Sequence, residues 1–265
     1  MSGVPVVACD LDGVIWRGDD PIAPAADGIV QLRGAGLRVA FVSNNSNSPV
    51  ADVVAKLERM GVPAEPEDVV TSAIAAAWLL GQSLAPGARV LACAGPGVRE
   101  ALAAEGLTAV DDGPAEAVVV GFHREFDYDA LDRASHAVRE GARFVATNLD
   151  ATYPVPGGLI PGAGALVAAV ATASGSTPEV AGKPEQPTVD LIRARFGTIG
   201  VVVGDRPTTD GALADALGWP FALVLSGVTA ALAPPGGEAI PDPEPPFVGD
   251  DLGALAAALI EAFPL

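Results

Sequence analysis

The chain has 265 residues, half of them hydrophobic, with 15 basic against 33 acidic side chains and a net charge of −18. That length suits one large domain or two modest ones, and the apolar fraction is enough for a sizeable core. So acidic a surface argues against nucleic acid or an anionic membrane as partner, and it obliges any anionic substrate to find a local source of positive charge. Two cysteines, Cys9 and Cys93, make no disulfide framework. The N-terminus enters a strand almost at once, which argues against a signal peptide. The apolar run 162–173 is too short to span a membrane. A soluble cytoplasmic protein is the expectation.

Residues 4–14, VPVVACDLDGV, open with a buried strand over 5–9. Asp10 and Asp12 stand at its carboxyl end, one residue apart, before Gly13 turns the chain. In an open α/β sheet the crevice beyond the carboxyl ends of the strands binds ligands. Two carboxylates placed there repel unless a cation or a proton sits between them. A helix over 24–34 follows, then a strand over 38–43 that ends in Ser43, Asn44 and Asn45. Those side chains and the turn's N–H groups suit phosphate oxygens, and an Asx-type turn would use the same residues. Ser48-Pro49 reads as an N-cap and first helical residue of a helix over 49–60, with Gly61 as its stop.

A helix over 72–84 leads into alternating strands (89–93, 117–121, 143–146) and helices (97–105, 129–140, 163–174). The glycine loop CAGPGVRE, 93–100, lacks dinucleotide-site spacing and reads as a β–α turn. His123 and His136 read as surface or packing residues. EVAGKPE, 179–185, carries Lys183 before a helix over 186–196; Lys56 is the only other lysine, against 13 arginines. A tight site that needs one compact cation beside carboxylates favours lysine over the wide arginine fork. Lys56 reads as a surface residue of its amphipathic helix.

The strand 199–203 ends at Gly204-Asp205, which brings a third carboxylate to the crevice of Asp10 and Asp12. Asp210 opens a helix over 210–217, where a plain N-cap would also explain it. A strand over 221–224, a proline-rich acidic loop over 233–246 and a helix over 252–262 complete the chain. Alternating strands and helices imply an α/β fold built on a parallel sheet. Carboxylates with a substrate phosphate are the usual surroundings of Mg²⁺, and Lys183 would add a second positive charge.

DLDGV, VSNNS, GKP and GDRPTTD, in that order, resemble the haloacid dehalogenase superfamily of phosphohydrolases. ATNLDATYPVPGGLIPGAGALVAAV (146–170) and VLSGVT (224–229) resemble its class IIA, the NagD-like or p-nitrophenylphosphatase branch. The resemblance implies a Rossmann-like core, residues 1–81 with 179–265, interrupted by an α/β cap of the C2a type over 82–178. It implies that Asp10 is the nucleophile and that Asp12 protonates the leaving oxygen, then deprotonates the attacking water. Mg²⁺ would be held by the Asp10 carboxylate, the Asp12 backbone carbonyl and Asp205. Asp210 would act through metal-bound water or Lys183. Ser43, Asn44, Asn45 and Lys183 would hold the phosphate, while Asn148, Asp150 and Tyr153 would meet the leaving group from the cap.

The activity so implied is Mg²⁺-dependent hydrolysis of small phosphate monoesters, such as glycerol 3-phosphate, 2-phosphoglycolate or p-nitrophenyl phosphate, through an aspartyl-phosphate. Tyr153 could stack on a flat ring, which keeps pyridoxal phosphate or a nucleotide open as substrate. Phosphotransfer to an acceptor and non-catalytic binding of a phosphometabolite are the alternatives on this scaffold. A dehalogenase needs neither an acid at position 12 nor Mg²⁺, so Asp12 speaks against it. Caps of this branch often carry dimer contacts, so by analogy a homodimer is an expected partner state.

Overall fold

The computed structural model describes residues 3–155, 158–230 and 237–264. By contacts the chain divides into two units: Met1–Ser43, Ala51–Val70 and Val189–Leu265 form one, Asn44–Val50 and Thr71–Thr188 the other.

The first unit is built on a six-stranded sheet. Its order is Phe247–Gly249, Phe221–Val224, Gly200–Gly204, Val6–Cys9, Arg38–Ser43 and Val69–Thr71. The pairings from Phe247–Gly249 to Arg38–Ser43 are parallel. Val6–Cys9 lies near the middle and is buried along its whole length, which is why it reads as an unbroken apolar run. Cys9 stands opposite Val203 on one side and Phe41 on the other. Asp10, the next residue, donates its N–H to the Val203 carbonyl at 2.9 Å, which brings it alongside Gly204-Asp205. The helices Ala23–Gly34 and Leu252–Ala262 pack together through faces that bury Ile29, Leu32, Leu255 and Leu259.

Two local readings change. The helix expected over 210–217 begins with a π-helical turn, Pro207–Gly211, and becomes regular only over Ala212–Leu217. The stretch 233–246 lies partly outside the described residues, and it is more than a loop. Within it Glu238–Ala239 pairs in parallel with Thr229–Ala230, and Glu238 accepts from the Thr208 N–H at 3.1 Å.

The second unit has its own sheet, all parallel. The order is Glu179–Val180, Arg143–Ala146, Ala117–Val120, Arg89–Cys93 and Thr108–Val110. Leu91, Val118, Val120 and Phe144 pack there with Val138, Leu166 and Val170, residues of the helices Tyr128–Arg139 and Ala163–Ser174. This unit contains all of 82–178 and adds Asn44–Val50, 71–81 and 179–188. The helix Val50–Arg59 starts one residue later than expected, and the Val50 N–H at its start donates to Glu100 Oε1 at 2.9 Å. Among the described residues no helix is long and apolar enough to cross a membrane.

Candidate active site

Three carboxylates gather at the carboxyl ends of the central strands of the first unit. Asp10 follows Val6–Cys9, Asp205 follows Gly200–Gly204, and Asp210 sits in the turn Pro207–Gly211. One oxygen of each lies within 4.8 Å of the others. Asp205 and Asp210 are 4% and 1% exposed, and Asp10 is half-buried. Asp205 Oδ2 accepts from the Val228 N–H at 2.7 Å, and its main-chain carbonyl accepts from the Thr229 hydroxyl at 2.6 Å. Asp210 Oδ2 accepts from the Arg206 N–H at 3.2 Å, and Asp210 does not cap the following helix.

Backbone donors orient these groups, but three like charges this close still repel. A set made only of carboxylate oxygens, two of them buried, fits a hard divalent cation such as Mg²⁺. The resemblance puts Asp210 at one remove from the ion. In the structure its carboxylate stands in the same cluster as the other two.

Glycines make this crowding feasible. A Cβ at Gly13, where φ is +85°, or at Gly227 would collide with the Asp205 carboxylate. A Cβ at Gly204 would collide with that of Asp210. The Ser226 hydroxyl ties the two segments around Asp205 together by donating to the Gly13 carbonyl at 2.7 Å.

Asp12 is turned to a different task. Its Oδ1 accepts from the Trp16 indole N–H at 2.9 Å, and its carboxylate is not one of the clustered three. Ser43, 5% exposed, ends the strand Arg38–Ser43.

The remaining expected residues belong to the second unit, and there Asn44 is the hub. Its Oδ1 accepts from the Lys183 N–H at 2.8 Å, and its Nδ2 donates to the Lys183 carbonyl at 3.2 Å and to Asp150 Oδ2 at 3.3 Å. Asn44 therefore clamps the main chain at Lys183. Its own carbonyl accepts from Ser72 Oγ and Asn148 Nδ2, both at 2.7 Å. Gly182 is required beside this clamp, since a Cβ there would run into the Thr147 carbonyl and into Asn44 Oδ1. Lys183 is itself 6% exposed. Asn45 Oδ1 accepts from the Asn47 N–H at 2.9 Å, an Asx turn, and Asn148 Oδ1 accepts from the Asp150 N–H at 3.0 Å in the same way.

Tyr153 stacks on Phe122 with ring centroids 5.2 Å apart. Phe122 also lines a cavity of about 450 Å³ at the carboxyl ends of Arg89–Cys93 and Ala117–Val120, with Cys93, Gly95, His123 and Arg133. Burial pushes the Cys93 thiol up to about 12; Arg133 opposes this and Asp127 adds to it. His123 packs edge-on against Phe126. The glycine loop 93–97 turns the chain into the helix Pro96–Ala104.

Sequence reasoning missed Gly227, Val228 and Trp16. The first two lie in VLSGVT, where the clue was a glycine after a strand end. Trp16 sits four residues beyond Asp12, with no motif of its own.

Residues 7–108 match the family described as haloacid dehalogenase-like hydrolase, and residues 180–255 match a second HAD-like hydrolase family. D-glycerol 3-phosphate phosphatase of Mycobacterium tuberculosis is 41% identical over 251 residues, 93% of this chain and 69% of the relative. The crystal structure of glycerol phosphate phosphatase from M. tuberculosis in complex with magnesium superposes with a TM-score of 0.85 at 39% identity, covering 96% of this chain and 77% of that one. p-Nitrophenyl phosphatase from Archaeoglobus fulgidus superposes with a TM-score of 0.88 at 29% identity, covering 97% of this chain and all of the other (100%). The chain belongs to the haloacid dehalogenase-like hydrolases.

Proposed function

We propose that the protein is a Mg²⁺-dependent phosphatase of small phosphate monoesters, with glycerol 3-phosphate as the first substrate to test. The carrying observation is the cluster of Asp10, Asp205 and Asp210, whose oxygens lie within 4.8 Å of one another with two of the three residues buried. When bound, Mg²⁺ neutralises part of this charge and polarises the phosphoryl group.

The chain's own residues do the rest. An Asp10 oxygen attacks phosphorus, so that a bond from carboxylate to phosphorus forms as the ester P–O bond breaks. Asp12 passes its proton to the departing oxygen. It then takes a proton from water, which attacks the aspartyl-phosphate and releases inorganic phosphate with Asp10 restored. Two equivalent acids would be useless here, and the surroundings differ: Asp10 stands in the carboxylate cluster, while Asp12 is bonded to an indole. Ser43, Asn45 and Lys183 supply donors and positive charge for the phosphoryl oxygens, and Asn44 acts mainly by fixing Lys183.

We read residues 82–178, all within the second unit, as the cap that selects the leaving group. Its own sheet, the segment that carries Asp150 and Tyr153 and a cavity sized for a small organic group support this. Two buried cysteines in thiol form, with no disulfide, support a cytoplasmic location.

A panel of phosphate monoesters, assayed for phosphate release with Mg²⁺ and with excess EDTA, tests the reading. Turnover that needs Mg²⁺ and falls to background in Asp10→Asn supports it. Undiminished turnover in either condition overturns it.

A further inference from the structure

Trp16 is 3% exposed, and its indole N–H donates to Asp12 Oδ1 at 2.9 Å. On its face lies a lysine that the sequence leaves on the surface: Lys56 Nζ is 4.3 Å from the ring centroid. Lys56 is held there by a 2.7 Å bond to the Gly18 carbonyl, with Asp19 Oδ1 3.9 Å away. The turn between the partners is fixed as well, because the Gly13 N–H donates to the Trp16 carbonyl at 2.7 Å. Lys56, Trp16 and Asp12 all belong to the first unit and form one connected row.

We propose that Trp16 is a positioning residue for proton delivery by Asp12, and that Lys56 fixes the indole for this role. The inference rests on the phosphatase reading above. A free carboxyl group exchanges its two oxygens by rotating. Here Oδ1 is engaged as an acceptor, so the proton to be delivered sits on Oδ2 and the carboxyl has one orientation. A cation over the ring draws on the indole π density, which makes the N–H a better donor and restrains the ring plane. The proton passes from Asp12 Oδ2 to the ester oxygen as the P–O bond breaks and the Asp10–phosphorus bond forms.

A buried tryptophan ordinarily finds an acceptor for its N–H, so a purely structural bond would look the same at rest. The two roles separate by leaving group. An alkoxide must be protonated as it departs, while p-nitrophenolate is stable enough to leave without help. The test is kcat/KM, which reports the steps up to the aspartyl-phosphate, for glycerol 3-phosphate and for p-nitrophenyl phosphate. It is measured in wild type, Trp16→Phe and Lys56→Met.

General acid help is worth about 10²–10⁴ in rate. Losing the orientation of the acid, with the acid itself retained, should lower kcat/KM for the alkyl ester by about 10–100-fold in Trp16→Phe and change the p-nitrophenyl value by less than about threefold. Lys56→Met, whose side chain is 24% exposed in wild type, should shift the same ratio by about two- to fivefold. Equal losses on both esters, or no loss on either, overturn the proposal. Should Trp16→Phe fail to fold in a thermal melt, the ratio in Lys56→Met decides alone. If wild type hydrolyses neither ester, it is the phosphatase reading that fails.

Discussion

Gly227→Ala is the sharpest test of how this fold holds a cation. Gly227 lies outside the left-handed region, so alanine carries no backbone penalty there. Its new Cβ would nevertheless collide with the Asp205 carboxylate. That carboxylate is 4% exposed and cannot swing into solvent, and the Val228 N–H holds the same Oδ2 at 2.7 Å. Restoring ordinary contact requires the carboxylate to move by well over an ångström, beyond the range of a good hydrogen bond. A hydrogen bond to a charged group contributes about 1.5–3 kcal/mol net. At about 1.4 kcal/mol per decade, Mg²⁺ affinity should fall by about 10–100-fold. Loss of groups that orient metal ligands typically costs the same range, about 10–100-fold. The assay is a Mg²⁺ titration of p-nitrophenyl phosphate hydrolysis, with calorimetric Mg²⁺ binding and a thermal melt on the same preparation. A folded variant with the wild-type Mg²⁺ midpoint would refute the reasoning, since the position of Asp205 would then not set affinity.

The other expectations concern stability and the second unit. Asn44→Ala removes two bonds to the main chain at Lys183, so it should cost about 2 kcal/mol, or roughly 4–8 °C in Tm. It should also raise KM for phosphate esters; unchanged KM and Tm would deny the clamp. Asp251 Oδ1 accepts from the Ala254 N–H at 2.9 Å as N-cap of Leu252–Ala262. Asp251→Ala should therefore lower stability by about 1 kcal/mol in denaturant unfolding, and Asp251→Asn should not. The Cys93 thiol is raised from 9.0 to about 12, so the folded protein keeps a proton that the unfolded chain gives up. Stability from this group is complete below pH 9 and falls as pH rises towards 12. Between pH 8 and 10 wild type should lose about 1.4 kcal/mol more than Cys93→Ala in urea titrations. Iodoacetamide should label Cys93 only on unfolding.

The fold was legible where burial alone shapes a segment. Arg89–Cys93, Arg143–Ala146 and Phe221–Val224 are strands of parallel sheets, and their apolar runs mark them without help from neighbours. Ala163–Ser174, Gln186–Phe196 and Leu252–Ala262 are long enough for helical composition and caps to speak. Several of the strands that escaped are short or marginal, though the four-residue pair Thr152–Val155 and Gly158–Pro161 escaped too. Trp16–Arg17 and Asp20–Pro21 form a two-residue ladder, and Thr108–Val110 is a partly exposed edge strand. Two or three residues cannot display a period, and strand preference at an edge depends mainly on what the strand meets. The turn Pro207–Gly211 was hidden for a related reason. Its residues suit a helix start, and the wide turn that carries Asp210 into the cluster is set by packing against Gly204.

At the site, sequence reports residue type and spacing, and it is silent on which atom each group spends on its neighbours. Ser43, Asn44 and Asn45 look interchangeable as phosphate donors, yet Asn44 spends its amide on Lys183 and Asn45 closes an Asx turn. The two lysines make the same point. Scarcity singles out both equally, and only Lys183 announces a role, because Gly-Lys-Pro is a local turn. The partners of Lys56 are an aromatic face and a carbonyl from a distant hairpin, so nothing in its own helix records them. A charged residue with a polar neighbour in sequence is therefore easy to read, and one whose partner is an indole is not. In an acidic chain with two lysines, that asymmetry is reason to weigh each retained cation by the ring it can cover as well as by the anion it can bind.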